Sequence, residues 1–106
     1  MGVFIFDGSF SAEFDDRTLA HLQLVIGSKL RRAESLHFSW HTEPSTASAA
    51  RTILWIHPAT SLRYEFANGQ PPTINRLWID ELLESANSPG GLRIVPEPQD
   101  ETLSAS

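Results

Sequence analysis

The stretch SLHFSWHTEPSTASAARTILWIHPATSLRYEFAN, residues 35–68, decides the fold of this chain. It contains three runs in which apolar and polar residues alternate: SLHFSWHT, RTILWIHP and SLRYEFAN. Alternation with a period of two is typical of strands that bury one face of a sheet. The loop EPSTASAA and the tighter turn PATS separate the runs. The stretch therefore predicts an antiparallel meander of three strands.

A plain register divides this meander into an inner and an outer face. The inner face is expected to hold Leu36, Phe38, Trp40, Ile53, Trp55, Leu62, Tyr64 and Phe66, with His57 at its margin. The outer face is expected to hold His37, Ser39, His41, Thr52, Leu54, Ile56, Arg63, Glu65 and Ala67. This register sends the two tryptophans into the core and leaves Leu54 and Ile56 facing outward.

The segment before the meander, GVFIFDGSFSAEF, predicts a β-hairpin. Asp7 and Gly8 separate two runs of β-forming residues, and this pair favours a two-residue turn with positive φ angles. Pairing Phe6 with Ser9 places Phe4 and Phe6 on the outer side of the hairpin.

Two helices and a short strand complete the pattern. DDRTLAHLQLVIGSKLRR, residues 15–32, predicts a helix capped by Asp15 or Asp16. A second helix is expected from the cap Thr73 to the stop SPGG, and LRIVP then predicts a brief edge strand. The order ββαβββαβ indicates an α+β domain, with two helices packed on one face of a mostly antiparallel sheet.

Length and charge indicate one domain and a polar tail. The 106 residues suffice for a single core, which we expect to span residues 1–95, and residues 96–106 form an acidic tail expected to be disordered. The net charge is -5, but residues 1–95 carry ten acids against eight bases and have no broad attraction for nucleic acid or membrane. The chain has no cysteine and no apolar run near the ~20 residues that cross a bilayer. We expect a cytoplasmic protein.

The histidines and the common catalytic motifs do not predict a metal, a cofactor or a catalytic group. His37 and His41 lie four residues apart on one strand, which separates them by roughly 13 Å. His57 falls on the other face, and His21 lies on a helix. The motifs GxSxG, GxGxxG and GxxxxGK are all missing.

The outer sheet face is the leading candidate for a binding surface. Its apolar and flanking residues are Phe4, Phe6, His37, Leu54, Ile56 and Arg63. A contiguous apolar patch marks an interaction site, and two-fold dimers are the commonest oligomers. The sequence thus predicts a small binding or accessory module that forms a homodimer, or binds another protein, through this face.

Two alternatives remain open at this stage. The first is a small enzyme or ligand-binding domain, because the polar groups His57, Tyr64, Asn75 and Arg76 converge on the margin between sheet and helix. The second is a weak nucleic-acid site at SKLRR, residues 28–32, which places three cations at a helix C-terminus. No aromatic side chain is interleaved with them.

The segments DDRTLAHLQLVIGSKLRR, FSW, LWIHP, PPTINRLWIDELLESANSPGGL and VPEP resemble an uncharacterised family of small actinobacterial proteins. The resemblance covers nearly the whole chain. Members are often labelled "ATP-dependent DNA ligase", and this label implies an adenylated lysine within a KxDG motif. The single lysine here is Lys29, in KLRR, and KxDG is absent. We therefore expect no ligase catalysis.

Overall fold

The computed structural model describes residues 1–41 and 50–99, which form six strands and two helices. In chain order these are β1 Gly2–Phe6, β2 Phe10–Phe14, α1 Asp16–Arg31, β3 Leu36–His41, β4 Arg51–Ile56, β5 Leu62–Glu65, α2 Arg76–Ala86 and β6 Leu92–Arg93. The predicted order ββαβββαβ and the α+β class are confirmed.

The strands form two three-stranded sheets, so the prediction of a single sheet is wrong. Sheet A has the order β2-β1-β5, and sheet B has the order β4-β3-β6. All strand pairs are antiparallel except β3 with β6. The meander breaks after β4 because β5 pairs with β1 and not with β4. Alternation of apolar and polar residues indicates that a segment is a strand, but it does not determine which other strand the segment pairs with.

The first hairpin has the predicted turn and a different register. Asp7 and Gly8 both have positive φ, and the amide of Ser9 donates to the carbonyl of Phe6. Phe6 nevertheless pairs with Phe10, because Ser9 is an extra residue in the loop. The shift by one residue turns Phe4 and Phe6 toward the core, and Phe4 is fully buried.

Strand β4 faces the opposite way from the prediction. Ile56 pairs with Leu36 and Leu54 pairs with Phe38, so both lie on the inner face. Ile56 is 0 % exposed, whereas Ile53 is 51 % and Trp55 is 52 % exposed. In this strand four apolar residues follow one another, Ile53 to Ile56, and such a run does not fix which pair faces the core.

The core lies between the aromatic faces of the two sheets and the two helices. Phe4 of sheet A meets Phe38 of sheet B edge to face, with ring centroids 5.8 Å apart. Phe14 contacts Phe38 at 6.2 Å and Trp40 at 5.3 Å. Leu19, Leu22 and Ile26 of α1 and Leu82 of α2 are buried in the same cluster.

Side chains at the starts of the two helices bind neighbouring segments, and that of Asn75 also caps its helix. Asp15 occupies the cap position of α1, while the Asp16 carboxylate accepts hydrogen bonds from the amides of Ala67 and Asn68, which lowers its pKa. Helix α2 is capped by Asn75 and not by the predicted Thr73. The Asn75 side-chain oxygen accepts from the amides of Leu77 and Trp78.

The packed chain continues beyond the predicted boundary at residue 95. Glu97 and Pro98 both accept hydrogen bonds from the side chain of Asn75. The predicted disordered tail begins at residue 96. Its residues 100–106 lie outside the described residues.

Candidate functional site

The outer face of sheet B presents the largest aromatic side chain exposed in the described part of the chain. We call it the Trp55 face. It consists of His37, Ser39 and His41 on β3, Arg51, Ile53 and Trp55 on β4, and Arg93 on β6. Trp55 and Ile53 are two residues apart on one strand and thus share this face. The ring of His37 lies 4.7 Å from that of Trp55.

The charges of the Trp55 face are of one sign although the whole chain has a net charge of -5. Arg51 lies at one end of the edge strand β4. Arg93 lies on β6, the opposite edge strand, where it pairs with Ser39 of the central strand β3. No carboxylate occupies any of the seven positions that define the face. Arg93 also borders a shallow depression that it shares with Glu81 and Glu84 of α2. The face is therefore apolar at its centre and positive at its ends.

The six residues predicted to form the outer face do not lie together. Phe4 and Ile56 belong to the core, and Phe6 and Leu54 pack partly buried against it. His37 is on the Trp55 face, and exposed Arg63 is on β5 of the other sheet, where it pairs with Glu65 at 3.0 Å. The predicted surface is replaced by one whose apolar members are Ile53 and Trp55. Both were expected inside.

The four residues of the alternative pocket have separate surroundings. His57 is exposed, and its Nδ1 accepts from the amide of Ala59 in its own turn. Tyr64 packs against Phe4 at 5.6 Å, and burial raises its pKa to about 12. Asn75 is buried and serves as a cap, while Arg76 is exposed. None of these four residues lines the cleft described below.

A polar network joins the start of α1, the start of α2 and the segment after β6. Arg17 forms a two-pronged ion pair with Glu97, at 2.8 Å from Nε and 2.6 Å from Nη2. Asn75 donates to Glu97 at 2.9 Å. The Arg17 guanidinium, followed by the Asn75 amide, lowers the pKa of Glu97 from 4.5 to about 2. Arg17 also donates to the carbonyl of Thr73, so three segments are joined here.

The buried ring of His21 extends this network, and both of its nitrogens are engaged. Nδ1 donates to the carbonyl of Arg17 at 2.7 Å, and Nε2 accepts from the amide of Asn75 at 2.9 Å. These partners fix the neutral tautomer with the proton on Nδ1, because a carbonyl can only accept and an amide can only donate. The ring also stacks on Trp78 at 4.5 Å. This arrangement is structural, because both nitrogens are already occupied by backbone groups.

A cleft of about 1190 Å³ separates β2 from the segment that follows β6. Its first wall is the unbroken run of residues 10–15, and its second is the run of residues 93–97. Ser39, Trp40 and His41 of β3, with Arg51 and Thr52 of β4, complete the lining together with Thr18 and Trp78. Phe10 and Phe14 both contact Trp40, at 6.2 and 5.3 Å, and give the cleft an aromatic side.

Lys29 is committed to the packing of the two helix ends. Its side chain is largely buried and donates to Asn87 at 2.7 Å, and it pairs with Glu34 at 2.8 Å. This lysine therefore does not extend from SKLRR as part of an exposed basic patch.

A family model for a domain of unknown function, DUF7882, matches residues 1–97. The chain belongs to this family. The match agrees with the resemblance to an uncharacterised family and includes Glu97 of the polar network. Neither the curated proteins nor the solved structures contain a match to this chain.

The described residues contain no cluster of three or more His, Asp or Glu side chains placed to hold a metal ion. No helix in the same part of the chain is long and apolar enough to span a bilayer.

The Trp55 face could not be predicted because the residues of β4 alone do not determine which side of the strand faces the core. Both β1 and β4 contain four consecutive large apolar residues, VFIF and ILWI, so alternation does not tell inside from outside. A usable signal was present in β3, where polar residues His37, Ser39 and His41 mark the outer side clearly. Pairing each β4 residue with β3 in the observed register would place Trp55 beside His37.

Proposed function

We propose that this protein is a small non-enzymatic binding module that self-associates as a two-fold dimer through the Trp55 face. The observation that carries the proposal is that Ile53 and Trp55, two residues apart on the same face of β4, are each about half exposed. Burying a tryptophan and an isoleucine removes a large apolar area from water, which is the main driving force for association.

The distribution of charge allows a second copy to bind with its symmetry axis close to Trp55. Arg51 lies four residues from Trp55, a distance of roughly 13 Å along the strand. Two antiparallel copies of β4 stacked about such an axis keep their arginines about 26 Å apart. This exceeds the screening length of about 8 Å at physiological salt, so the like charges hardly oppose association.

The proposal places the module in the cytoplasm, as the sequence predicts, and gives it an accessory role. It includes no ligase activity, because the only lysine lies outside any KxDG motif.

Light scattering coupled to size exclusion tests the dimer. We expect the wild type to have the mass of two chains at tens of micromolar and Trp55→Glu to have the mass of one. Leu24→Glu is the matched control, because Leu24 is 45 % exposed on α1 and lies away from the Trp55 face. This variant should remain a dimer.

A wild-type protein that stays monomeric at several hundred micromolar contradicts the proposal. So does a dimer that survives both Trp55→Glu and Ile53→Glu. Binding of an acidic protein by the monomer, lost in Trp55→Glu, would instead assign the face to a different partner.

A further inference from the structure

Among residues 1–41 and 50–99, strand β2 has a strand partner on one edge and none on the other. In sheet A, β2 pairs with β1 only, and β1 pairs with β5 on its other side. The amide of Asp7 donates to the carbonyl of Ser61, in register with the pairs Ile5–Arg63 and Val3–Glu65. In an antiparallel ladder the polar groups of alternate residues point to opposite sides. Val3 and Ile5 therefore bond to β5.

The remaining residues of β1 consequently bond to β2. Phe4 faces Ala12 and Phe6 faces Phe10, so the backbone groups of Phe10 and Ala12 point toward β1. The N–H and C=O groups of Ser11 and Glu13 then point away from β1. These four backbone hydrogen-bonding groups have no strand partner in the described part of the chain.

These groups face the cleft. All residues from Phe10 to Asp15 line it, although successive side chains of a strand point to opposite faces of the sheet. A cleft touched by every residue of a strand runs along the edge of that strand. Residues 93–97 form the opposite wall in the same continuous manner.

We propose that this cleft binds an extended segment of a partner protein, which adds to β2 as a further strand and alternates apolar with basic side chains. Strand addition supplies the missing partners of Ser11 and Glu13. The inward side chains of the added strand neighbour Phe10, Ala12 and Phe14 and meet the ring of Trp40. These positions select apolar residues.

The basic preference follows from the outer side of β2. Glu13 projects there, Asp15 follows at the end of the strand, and β2 carries no cation. A residue placed directly opposite Glu13 lies about 5 Å from it, where an opposite charge stabilises the pair. Arg93 belongs to the opposite wall, and Arg51 of β4 is also part of the lining. The cleft shares Ser39, His41, Arg51 and Arg93 with the Trp55 face, but Ile53 and Trp55 do not line it, so strand addition does not require the dimer.

Fluorescence anisotropy of short labelled peptides tests the proposal on the full chain. The probes are a peptide that alternates valine with lysine and a peptide that alternates valine with glutamate. We expect saturable micromolar binding of the first peptide, and binding of the second that is weaker by about tenfold or more. The monomeric Trp55→Glu variant should bind the lysine peptide as the wild type does.

Ser11→Pro is the decisive variant because it removes the outward N–H and leaves every bond to β1 in place. Proline is tolerated at edge positions whose N–H faces outward, and Phe10 before it is already extended. We expect Ser11→Pro to lower the affinity by about tenfold or more and Ser11→Ala to leave it unchanged. Net charge is the same in all three proteins, so non-specific attraction of lysine does not differ between them.

Several outcomes overturn the proposal. These are the absence of saturable binding, equal affinity for the two peptides, or equal affinity of wild type and a folded Ser11→Pro variant. Self-association that Ser11→Pro abolishes would also overturn it, because a second copy would then occupy the edge. If circular dichroism shows that Ser11→Pro is unfolded, Glu13→Lys replaces it and should reverse the preference between the two peptides. Retention of the lysine preference in Glu13→Lys would contradict the proposal.

Discussion

Gly90 and Gly91 are neighbours in sequence but have very different surroundings. Gly91 has a φ of +79°, and a Cβ there would lie 2.7 Å from the carbonyl oxygen and 2.8 Å from the Cβ of His37. Gly90 has nothing within 4 Å of such a Cβ. We expect Gly91→Ala to lower the free energy of unfolding by at least about 2 kcal/mol, through backbone strain and overlap with β3. Chemical denaturation measures this change.

Gly90→Ala is the matched control for that experiment. It should change the free energy of unfolding by no more than about 0.5 kcal/mol. Equal stability of the two variants would mean that the strand β6 does not approach β3 as closely as the structure indicates.

Glu97 makes stability depend on pH in acid. Its pKa is about 2 in the folded protein and 4.5 in an unperturbed carboxyl, so the unfolded state binds more protons between these values. The contribution of Glu97 is therefore complete above pH 4.5 and is lost as the pH falls toward 2. Denaturation midpoints of the wild type should fall across this interval more steeply than those of Glu97→Gln.

Glu84→Gln, at an exposed position of α2, controls for the loss of one negative charge. It should keep the wild-type dependence on pH in this interval. If Glu97→Gln and the wild type have parallel pH profiles, the ion pair with Arg17 does not persist in solution.

Individual residues could be predicted from the sequence where local chemistry determines them. The turn at Asp7 and Gly8 is such a case, because only a few residue types adopt positive φ readily. The role of Glu97 could not be predicted, since its partner Arg17 lies 80 residues away in sequence. Nothing in the local segment PEP indicates that contact.

Strand β4 offers a direct comparison between its two faces. Ile56 is fully buried and Ile53 is half exposed, although they have the same side chain on the same strand. We expect Ile56→Glu to lower the free energy of unfolding by more than about 4 kcal/mol, because a charge would be buried without a partner. Ile53→Glu should cost little in the monomer. Thermal and urea denaturation of the two variants test this difference.

If Ile53→Glu unfolded the protein and Ile56→Glu did not, β4 would have the orientation expected from the sequence, with Ile53 inside and Ile56 outside. That result would also contradict the exposure of Trp55 on the outer face of sheet B.

At the level of elements, the type and the boundaries of each helix and strand could be predicted far better than the side of each strand that faces the core. Helix caps, turns and alternation are local signals, and they give the order ββαβββαβ. The side of a strand that faces the core depends on its register with a neighbour. In β3 the polar residues settle this choice, whereas the apolar runs of β1 and β4 leave it undecided.

At the scale of the whole molecule, the described residues form two small sheets and two helices, and the cleft lies between β2 of sheet A and the segment that follows β6 of sheet B. The predicted meander would pair β4 with β5, whereas in the structure β5 pairs with β1. The sequence could not predict the division, since pairing β5 with β1 or with β4 satisfies the same alternation. Non-local contacts such as Phe4 with Phe38 and Tyr64 decide the arrangement.

The Trp55 face can be tested most directly by fluorine NMR of protein labelled with 5-fluorotryptophan. The chain has three tryptophans, and a Trp55→Phe variant identifies the resonance of residue 55. In dilute solution we predict that this resonance is the most sensitive of the three to a soluble paramagnetic agent. At high concentration it should become protected as the dimer forms. A resonance that is protected at every concentration would contradict the outward orientation of Trp55, and one that is exposed at every concentration would contradict the dimer.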